Sequence, residues 1–179
     1  MPESRAVPLC ISLLSWIPWL GACASRESMP TVEAVDLQRF MGDWYVIAHI
    51  PALIEKKAYD EVESYELKPN GRIATTLTFR KGGFDGPIKT YRPSARVVED
   101  NGNAEWRMQF LWPFESEYLI IYLDDDYQTT IVGRTKRDYA WIMSRSPSIP
   151  EAEYAHLVAF LADRGYEADR LRRVPQSVR

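Results

Sequence analysis

The fold is decided by a short stretch in the middle of the chain, EWRMQFLW, which runs from Glu105 to Trp112. Every second residue from Trp106 onward is apolar, and charged or amide side chains stand between the first three of them. A period of two is typical of a β-strand with one face on an apolar core and the other in water. Ile73 to Phe79 shows the same alternation. The sequence therefore predicts a sheet that is buried on one face.

Eight strands are predicted between Val35 and Arg145. They are Asp43–Ile50, Tyr59–Leu67, Arg72–Arg80, Ile88–Glu99, Ala104–Trp112, Tyr118–Leu123, Gln128–Arg134 and Tyr139–Ser144. Turn residues such as Pro69-Asn70-Gly71 and Asn101-Gly102 separate them, which indicates an antiparallel meander or a sandwich. Closing the sheet into an up-and-down barrel removes its exposed edges. We therefore expect an all-β fold, an eight-stranded antiparallel β-barrel.

One helix is predicted outside this barrel. The strand Tyr118–Leu123 is apolar on both faces, so another element must cover its outer side. Pro150 can open a helix that runs to about Arg164, and Gly165 is suited to its end. Its apolar residues recur at helical spacing and are Ala152, Ala155, Leu157, Val158, Phe160 and Leu161. We expect this stripe to pack against the late strands.

The first 22 residues are predicted to be a leader rather than part of the fold. Arg5 precedes an apolar run from Ala6 to Leu20, and Leu20-Gly21-Ala22-Cys23 resembles the lipobox of bacterial lipoproteins. That resemblance implies cleavage before Cys23 and acylation of its thiol and amino group, which gives stable membrane anchoring. Residues 23–34 then form a lipidated tether, and residues 35–179 form the barrel domain. Because Cys10 leaves with the leader, the mature chain would have no free thiol.

Several function classes are disfavoured by composition. The net charge is −3 and the basic residues are scattered, so the clustered basic face of a nucleic-acid binder is missing. The two histidines, His49 and His156, have no metal-ligand spacing, and no Gly-x-Ser-x-Gly nucleophile motif occurs. We therefore predict no enzyme, no catalytic residue, no metal and no cofactor. A lipid-modifying enzyme is the least favoured interpretation.

Three ordered motifs resemble the signatures of the lipocalin family. They are Val35–Tyr45 with its Gly-x-Trp, Leu123–Tyr127, and Asp138–Arg145. The resemblance covers nearly all of residues 35–174 and is greatest to the bacterial outer-membrane lipoprotein group, which is apolipoprotein D-like. It implies that Trp44 fills the closed end of the barrel, that Arg145 lies across the indole, and that Gly42 allows a tight entry into the first strand. We expect these three residues to form a structural plug.

The resemblance also implies a ligand-binding calyx, whose lining we predict from strand alternation. If Trp44 points inward, Val46, Ala48 and Ile50 do too, and His49 points outward. Further predicted lining residues are Trp106, Met108, Phe110, Leu119 and Ile121, with Leu53 and Ile54 as a cover in the loop Pro51–Ala58. We expect an apolar interior without ion pairs. Lys56 and Lys57 in the same loop are candidates for contact with an anionic headgroup.

Two functions stay open at this point. The first is a lipid-anchored carrier of fatty acids or lysophospholipids, with its barrel in the periplasm at the outer membrane and a role in lipid upkeep that only the family implies. The second is an anchored structural or interaction barrel whose core is filled by its own side chains. An eight-stranded barrel is of the size at which either outcome occurs. Both a monomer and a homodimer are compatible with the sequence.

Overall fold

The computed structural model describes residues 28–98 and 101–177, and it shows an eight-stranded, antiparallel, closed β-barrel with a C-terminal helix. The predicted fold class is therefore confirmed. Cys10, the predicted leader and Cys23 lie outside the described residues, so cleavage and lipidation stay predictions. None of the described helices is long and apolar enough to cross a membrane.

The strands agree closely with the predicted segments. The elements are α1 Leu37–Phe40, β1 Gly42–Ile50, β2 Ala58–Leu67, β3 Arg72–Lys81, β4 Ile88–Tyr91, β5 Ser94–Val97, β6 Glu105–Leu111, β7 Phe114–Leu123, β8 Thr129–Gly133, β9 Ala140–Ser144, α2 Glu151–Asp163 and β10 Arg172–Arg173. Pro93, which lacks a backbone N–H, divides the predicted fourth strand into β4 and β5. Both halves pair with β3, so the barrel wall stays continuous.

Pairing of β1 with β9 closes the barrel and leaves a seam on the other side of β1. Strand β1 pairs with β2 only from Gly42 to Tyr45. Beyond that point the C-terminal segment lies between the two strands, and His49 pairs with Arg172 of β10. The Gln176 side-chain amide donates to the backbone carbonyls of Val46 and Glu61, at 2.9 and 3.0 Å. Residues 172–176 therefore complete the wall.

The two ends of the barrel differ. The connections β1–β2, β3–β4, β6–β7 and β8–β9 share one end, which we call the mouth. Helix α1 covers the opposite, closed end, where Phe40 is fully buried. Large apolar side chains are exposed on the mouth connections and are Leu53, Phe84, Ile88, Phe110, Leu111, Trp112 and Phe114.

Helix α2 lies on the outer face of the late strands, as predicted. Leu157 and Leu161 are fully buried there, and the ring of Phe160 meets that of Tyr122 at 5.2 Å. Ala152 and Ala155 of the predicted stripe are exposed. Part of the predicted tether also packs on the barrel, because Met29 is buried in the cluster beneath α2 and the Val32 N–H donates to the Ile120 carbonyl at 3.0 Å.

A bulge in β1 reverses the predicted facing of its second half. The β1–β9 register shifts between Val46 and Ala48, which adds one residue to β1. An added residue exchanges the inner and outer faces of everything beyond it. Trp44 and Val46 therefore face the interior, whereas Ala48 and Ile50 pack beneath α2. The prediction that Ala48 and Ile50 line the calyx, with His49 outside, is wrong.

Strand β7 also differs from its predicted facing. Tyr118 and Ile120 belong to the interior cluster, while Leu119 and Ile121 pack beneath α2. The prediction that Leu119 and Ile121 face inward is wrong. Both faces of this strand are apolar, so the hydrophobic pattern could not distinguish the inner face from the one that α2 covers.

Candidate ligand-binding site

The closed end is sealed by Gly42, Trp44 and Arg145, which the structure brings together. The Arg145 guanidinium lies 3.8 Å from the centroid of the fully buried Trp44 ring. The same guanidinium donates to four backbone carbonyls at the end of α1 and the start of β1, at 2.7 to 3.0 Å. The Trp44 indole N–H donates to the Phe40 carbonyl at 2.9 Å. Arg145 thus binds carbonyls that α1 leaves without intrahelical partners.

Aromatic rings fill the lower half of the interior. Trp106 stacks on Tyr118 with centroids 5.0 Å apart, and Phe40 meets the Trp106 edge at 5.3 Å. Trp106 and Val46 both belong to this packed cluster. They face inward as predicted, but neither contacts the open space described next. The lower barrel is therefore a solid core.

Open space begins above that core and widens toward the mouth. A small cavity of about 40 Å³ lies inside the barrel, and a cleft of about 460 Å³ lies at the mouth. Glu55, Phe110, Ser116 and Trp141 line both, so the two spaces are adjacent. The cleft volume lies within the range of small-molecule sites. A ligand therefore has more room at the mouth than deep in the barrel.

Four predicted binding residues line this space. Met108 lines the cavity, Leu53 and Ile54 line the cleft, and Phe110 lines both. Lys56 and Lys57 are exposed and line neither. The cation that does line the cleft is Arg134, which the sequence analysis did not single out.

The interior is not apolar, so that expectation is wrong. His49, Glu55, Glu61 and Glu63 are all buried inside the upper barrel. The His49 Nδ1 atom lies 3.2 Å from a Glu61 carboxylate oxygen, and an Arg172 nitrogen lies 3.4 Å from His49 Nε2. This polar group borders the cavity through Glu55 and Glu63.

Hydrogen bonds hold the two acids that border the cavity. Glu55 accepts from the Ala52 N–H at 2.9 Å and from the Trp141 indole N–H at 3.1 Å. Glu63 accepts from the Tyr65 hydroxyl, whose oxygen is also 2.6 Å from that of Tyr118. Both carboxylates are thus fixed in position.

Burial shifts the protonation of this group. Desolvation, followed by the neighbouring carboxylate of Glu61, raises the pKa of Glu55 to about 7. Desolvation, followed by Glu63, raises the pKa of Glu61 to about 8, and desolvation raises that of Glu63 to about 7. Desolvation lowers the pKa of His49 to about 4. At neutral pH Glu61 therefore mostly keeps its proton, Glu55 and Glu63 are partly protonated, and His49 is neutral.

Comparisons with known proteins agree with the fold. The sequence model of the family described as "Lipocalin-like domain" matches residues 35–176. The chain belongs to the lipocalin family. That membership implies the binding of a small hydrophobic ligand, and lipocalins are typically binders without enzymatic activity.

Relatives of this lipocalin come from plants, bacteria and animals. It is 30% identical to temperature-induced lipocalin-1 of Arabidopsis thaliana over 160 residues, which is 85% of each chain. It is 27% identical to the outer membrane lipoprotein Blc of Citrobacter freundii, over 84% of this chain and 86% of the relative. Apolipoprotein D of Bos taurus is 26% identical, over 85% of this chain and 81% of its own. The predicted resemblance to this group is confirmed.

Solved structures agree on the architecture. Insecticyanin from the tobacco hornworm Manduca sexta superposes with a TM-score of 0.67 at 16% identity, over 84% of this chain and 86% of its own. The cockroach allergen Per a 4 superposes with a TM-score of 0.63 at 22% identity, over 83% and 93%. At these identities the similarity concerns the fold alone.

His49, Glu55 and Glu61 are also a group that could hold a metal ion, since one ligand atom from each lies within 4.8 Å of the others. The contacts around His49 favour a proton instead. The guanidinium of Arg172 can only donate, so it favours the tautomer in which Nε2 accepts and Nδ1 carries the hydrogen. A ring nitrogen that carries a hydrogen has no lone pair free for a metal ion, so this tautomer disfavours coordination through Nδ1.

Hydrophobic patterning does not predict this acidic interior, because β2 carries polar side chains on both faces. Glu63 pairs directly with Trp44, and paired residues share a face, so Glu63 must point inward when Trp44 does. Glu61 precedes it by two residues on the same face. Register, rather than hydrophobicity, was the signal that could have found both acids.

Proposed function

We propose that this lipocalin is a carrier of single-chain amphiphiles such as fatty acids or lysophospholipids, and that the ligand chain occupies the cleft at the mouth. The observation that carries the proposal is the cleft of about 460 Å³ at the mouth, which adjoins the interior cavity. Each methylene that leaves water contributes about 0.8 kcal/mol. A partly buried acyl chain of about eight methylenes would therefore supply useful affinity.

The headgroup of an anionic ligand would lie beside Arg134. This side chain lines the cleft, and its Nε atom is buried without a hydrogen-bond partner among the described residues. Its Nη1 atom is 3.5 Å from Asp138, so only part of the guanidinium is occupied. Arg134 thereby takes the role that the sequence analysis gave to Lys56 and Lys57.

The membrane part of the proposal depends on Cys23. Bacterial relatives are named outer membrane lipoproteins, and the Leu-Gly-Ala-Cys sequence of this chain is suited to lipidation. We propose that Cys23 anchors the barrel at the outer membrane, on its periplasmic side, where the carrier serves lipid upkeep. Cell fractionation of the wild type and Cys23→Ser tests this step. A Cys23→Ser chain that still co-fractionates with the outer membrane contradicts it.

Ligand binding is tested by displacement of a fluorescent probe with fatty acids of increasing length. The matched pair of variants is Leu53→Gln and Leu111→Gln, since both leucines are exposed on mouth connections and only Leu53 lines the cleft. We expect Leu53→Gln to weaken binding several-fold and Leu111→Gln to leave it unchanged. No binding of any chain length supports the alternative, an anchored barrel with a filled core.

A further inference from the structure

We propose that the interior cavity is a subsite for an amine, so that this lipocalin binds a single-chain primary amine more tightly than the carboxylic acid of equal length. The amine would enter first and its alkyl chain would fill the cleft. This inference rests on the proposed function and names the chemistry of the inner end of the ligand. It is drawn from three features of the cavity: its acceptors, its charge and its aromatic walls.

The cavity presents three side-chain acceptors, and one of them, the Thr75 hydroxyl, has no partner among the described residues. Thr75 is 2% exposed, lines the cavity, and its hydroxyl has no hydrogen-bond partner among the described residues. The carboxylates of Glu55 and Glu63 line the same space. An ammonium group has three donors and no acceptor, which matches two carboxylates and a hydroxyl. A cavity of 40 Å³ exceeds the space that a single water needs, so it can take a group of that size.

The charge of the interior favours a cation. Three carboxyl groups, Glu55, Glu61 and Glu63, lie within the upper barrel, and the cation beside them is Arg172, which contacts His49 at 3.4 Å. The raised pKa values of the three acids reflect this excess of negative groups as well as burial. An ammonium would take the place of one proton and compensate one carboxylate of the group. A fatty acid carboxylate in the same place would add a further negative charge to a desolvated site.

Aromatic rings complete the subsite. Tyr118 and Trp141 line the cavity, and Phe110 lines both the cavity and the cleft. Cations are attracted to the faces of such rings, most strongly where water is excluded. Met108 and Leu77 line the same space and suit the first methylenes of an alkyl chain.

Arg134 does not offset this preference. It lines the cleft and not the cavity, and Asp138 lies 3.5 Å from its Nη1 atom. A fatty acid would therefore bind with its carboxylate toward the mouth and its chain confined to the cleft. The amine would occupy both spaces, since it alone is compensated at the inner end.

The experiment compares decylamine, decanol and decanoic acid at pH 7.5 by displacement of a fluorescent probe from the full mature chain. Charged hydrogen bonds of this kind correspond to a preference of about tenfold to a hundredfold for the amine over the acid. Glu63→Gln keeps an acceptor for the Tyr65 hydroxyl and removes the charge, and Thr75→Val keeps the shape and removes the hydroxyl. The matched control is Glu66→Gln, an exposed carboxylate on the same strand as Glu63.

We expect both cavity variants to lose most of the amine preference, and the control to keep it. Affinity for decanol should change little in any variant, which separates a specific effect from misfolding. Equal affinity of the wild type for amine and acid overturns the inference while leaving the carrier function intact. A preference that survives in both cavity variants also overturns it. If none of the three ligands binds, the proposed function falls as well.

Discussion

Replacing Glu61 by glutamine should make the protein less sensitive to alkaline pH. Glu61 is fully buried, and its carboxyl keeps its proton in the folded state up to a pKa of about 8, whereas 4.5 is its ordinary value. The unfolded state therefore loses this proton at lower pH than the folded state does. Between these two values the folded state binds the extra proton, so stability falls as pH rises.

The size of this change in stability can be estimated in the pH range in which His49 does not titrate. The pKa of His49 is lowered from 6.5 to about 4, so this imidazole contributes a loss of stability as pH falls through that range. Above pH 6.5 it is mostly neutral in both states. From pH 6.5 to a pKa of about 8, Glu61 alone corresponds to roughly 2 kcal/mol. Glu55 and Glu63, with pKa values of about 7, also contribute to the slope. Because the Glu61 carboxylate helps to raise the pKa of Glu55, Glu61→Gln lowers the Glu55 contribution too, which acts in the same direction.

The assay is urea denaturation at pH 6.5 and at pH 8.5 for wild type, Glu61→Gln and the exposed control Glu66→Gln. The wild type should lose stability between the two pH values, and Glu61→Gln should lose about 2 kcal/mol less. An equal pH-dependent loss in wild type and Glu61→Gln would refute the assignment of a buried, protonated Glu61. His49, Glu55, Glu63 and Arg172 are the titratable and charged groups near it, and all are retained in the comparison.

Three further predictions concern the frame around the site. Trp44→Ala should lower the free energy of unfolding by roughly 3–5 kcal/mol in chemical denaturation, because it empties the closed end, and a loss below about 1 kcal/mol would contradict the plug. Arg145→Lys should cost about 1–3 kcal/mol, since an ammonium cannot replace a guanidinium that contacts four carbonyls and an indole; an unchanged denaturation midpoint would speak against this role. Gly133→Ala should lower the free energy of unfolding by about 1–3 kcal/mol, because the added Cβ would lie 2.4 Å from the Tyr166 hydroxyl oxygen. Gly83→Ala is the neutral control, because its Cβ would have no other atom within 4 Å.

The architecture could be predicted because its signals are local. Alternation from Trp106 to Trp112, the turn residues between strands and the helical stripe before Gly165 each depend on neighbours in sequence. The contact between Trp44 and Arg145 is not local, and it could be predicted because the resemblance to the lipocalin signatures implies it. Strand ends differ from prediction by a few residues at most, except where Pro93 divides one strand.

The residues that line the cavity were harder to predict than the strands. One extra residue in a strand reverses the inward or outward facing of every residue after it. One extra residue after Val46 exchanges the faces of Ala48, His49 and Ile50, and a bulge has no hydrophobic signature of its own. In β7, helix α2 buries the outer face, so both faces of the strand are apolar. Leu119 and Ile121 were therefore predicted to face inward, although they lie on the outer face. Both errors arise because facing depends on contacts with other elements, which the hydrophobic period of a single strand does not show.

The same bulge explains why this barrel is not a simple apolar calyx. By turning His49 inward, it places an imidazole against Glu61 and brings Arg172 to the other side of the ring. Glu55 and Glu63 then border a cavity that is too small for an acyl chain. Because the cavity is polar, its affinity for a ligand should depend on the chemical group at the ligand's inner end. Burial of three acids lowers stability at neutral pH, and core packing alone does not require them. A cationic ligand would offset part of that cost by compensating one of the carboxylates, so binding and stability should respond to the same residues.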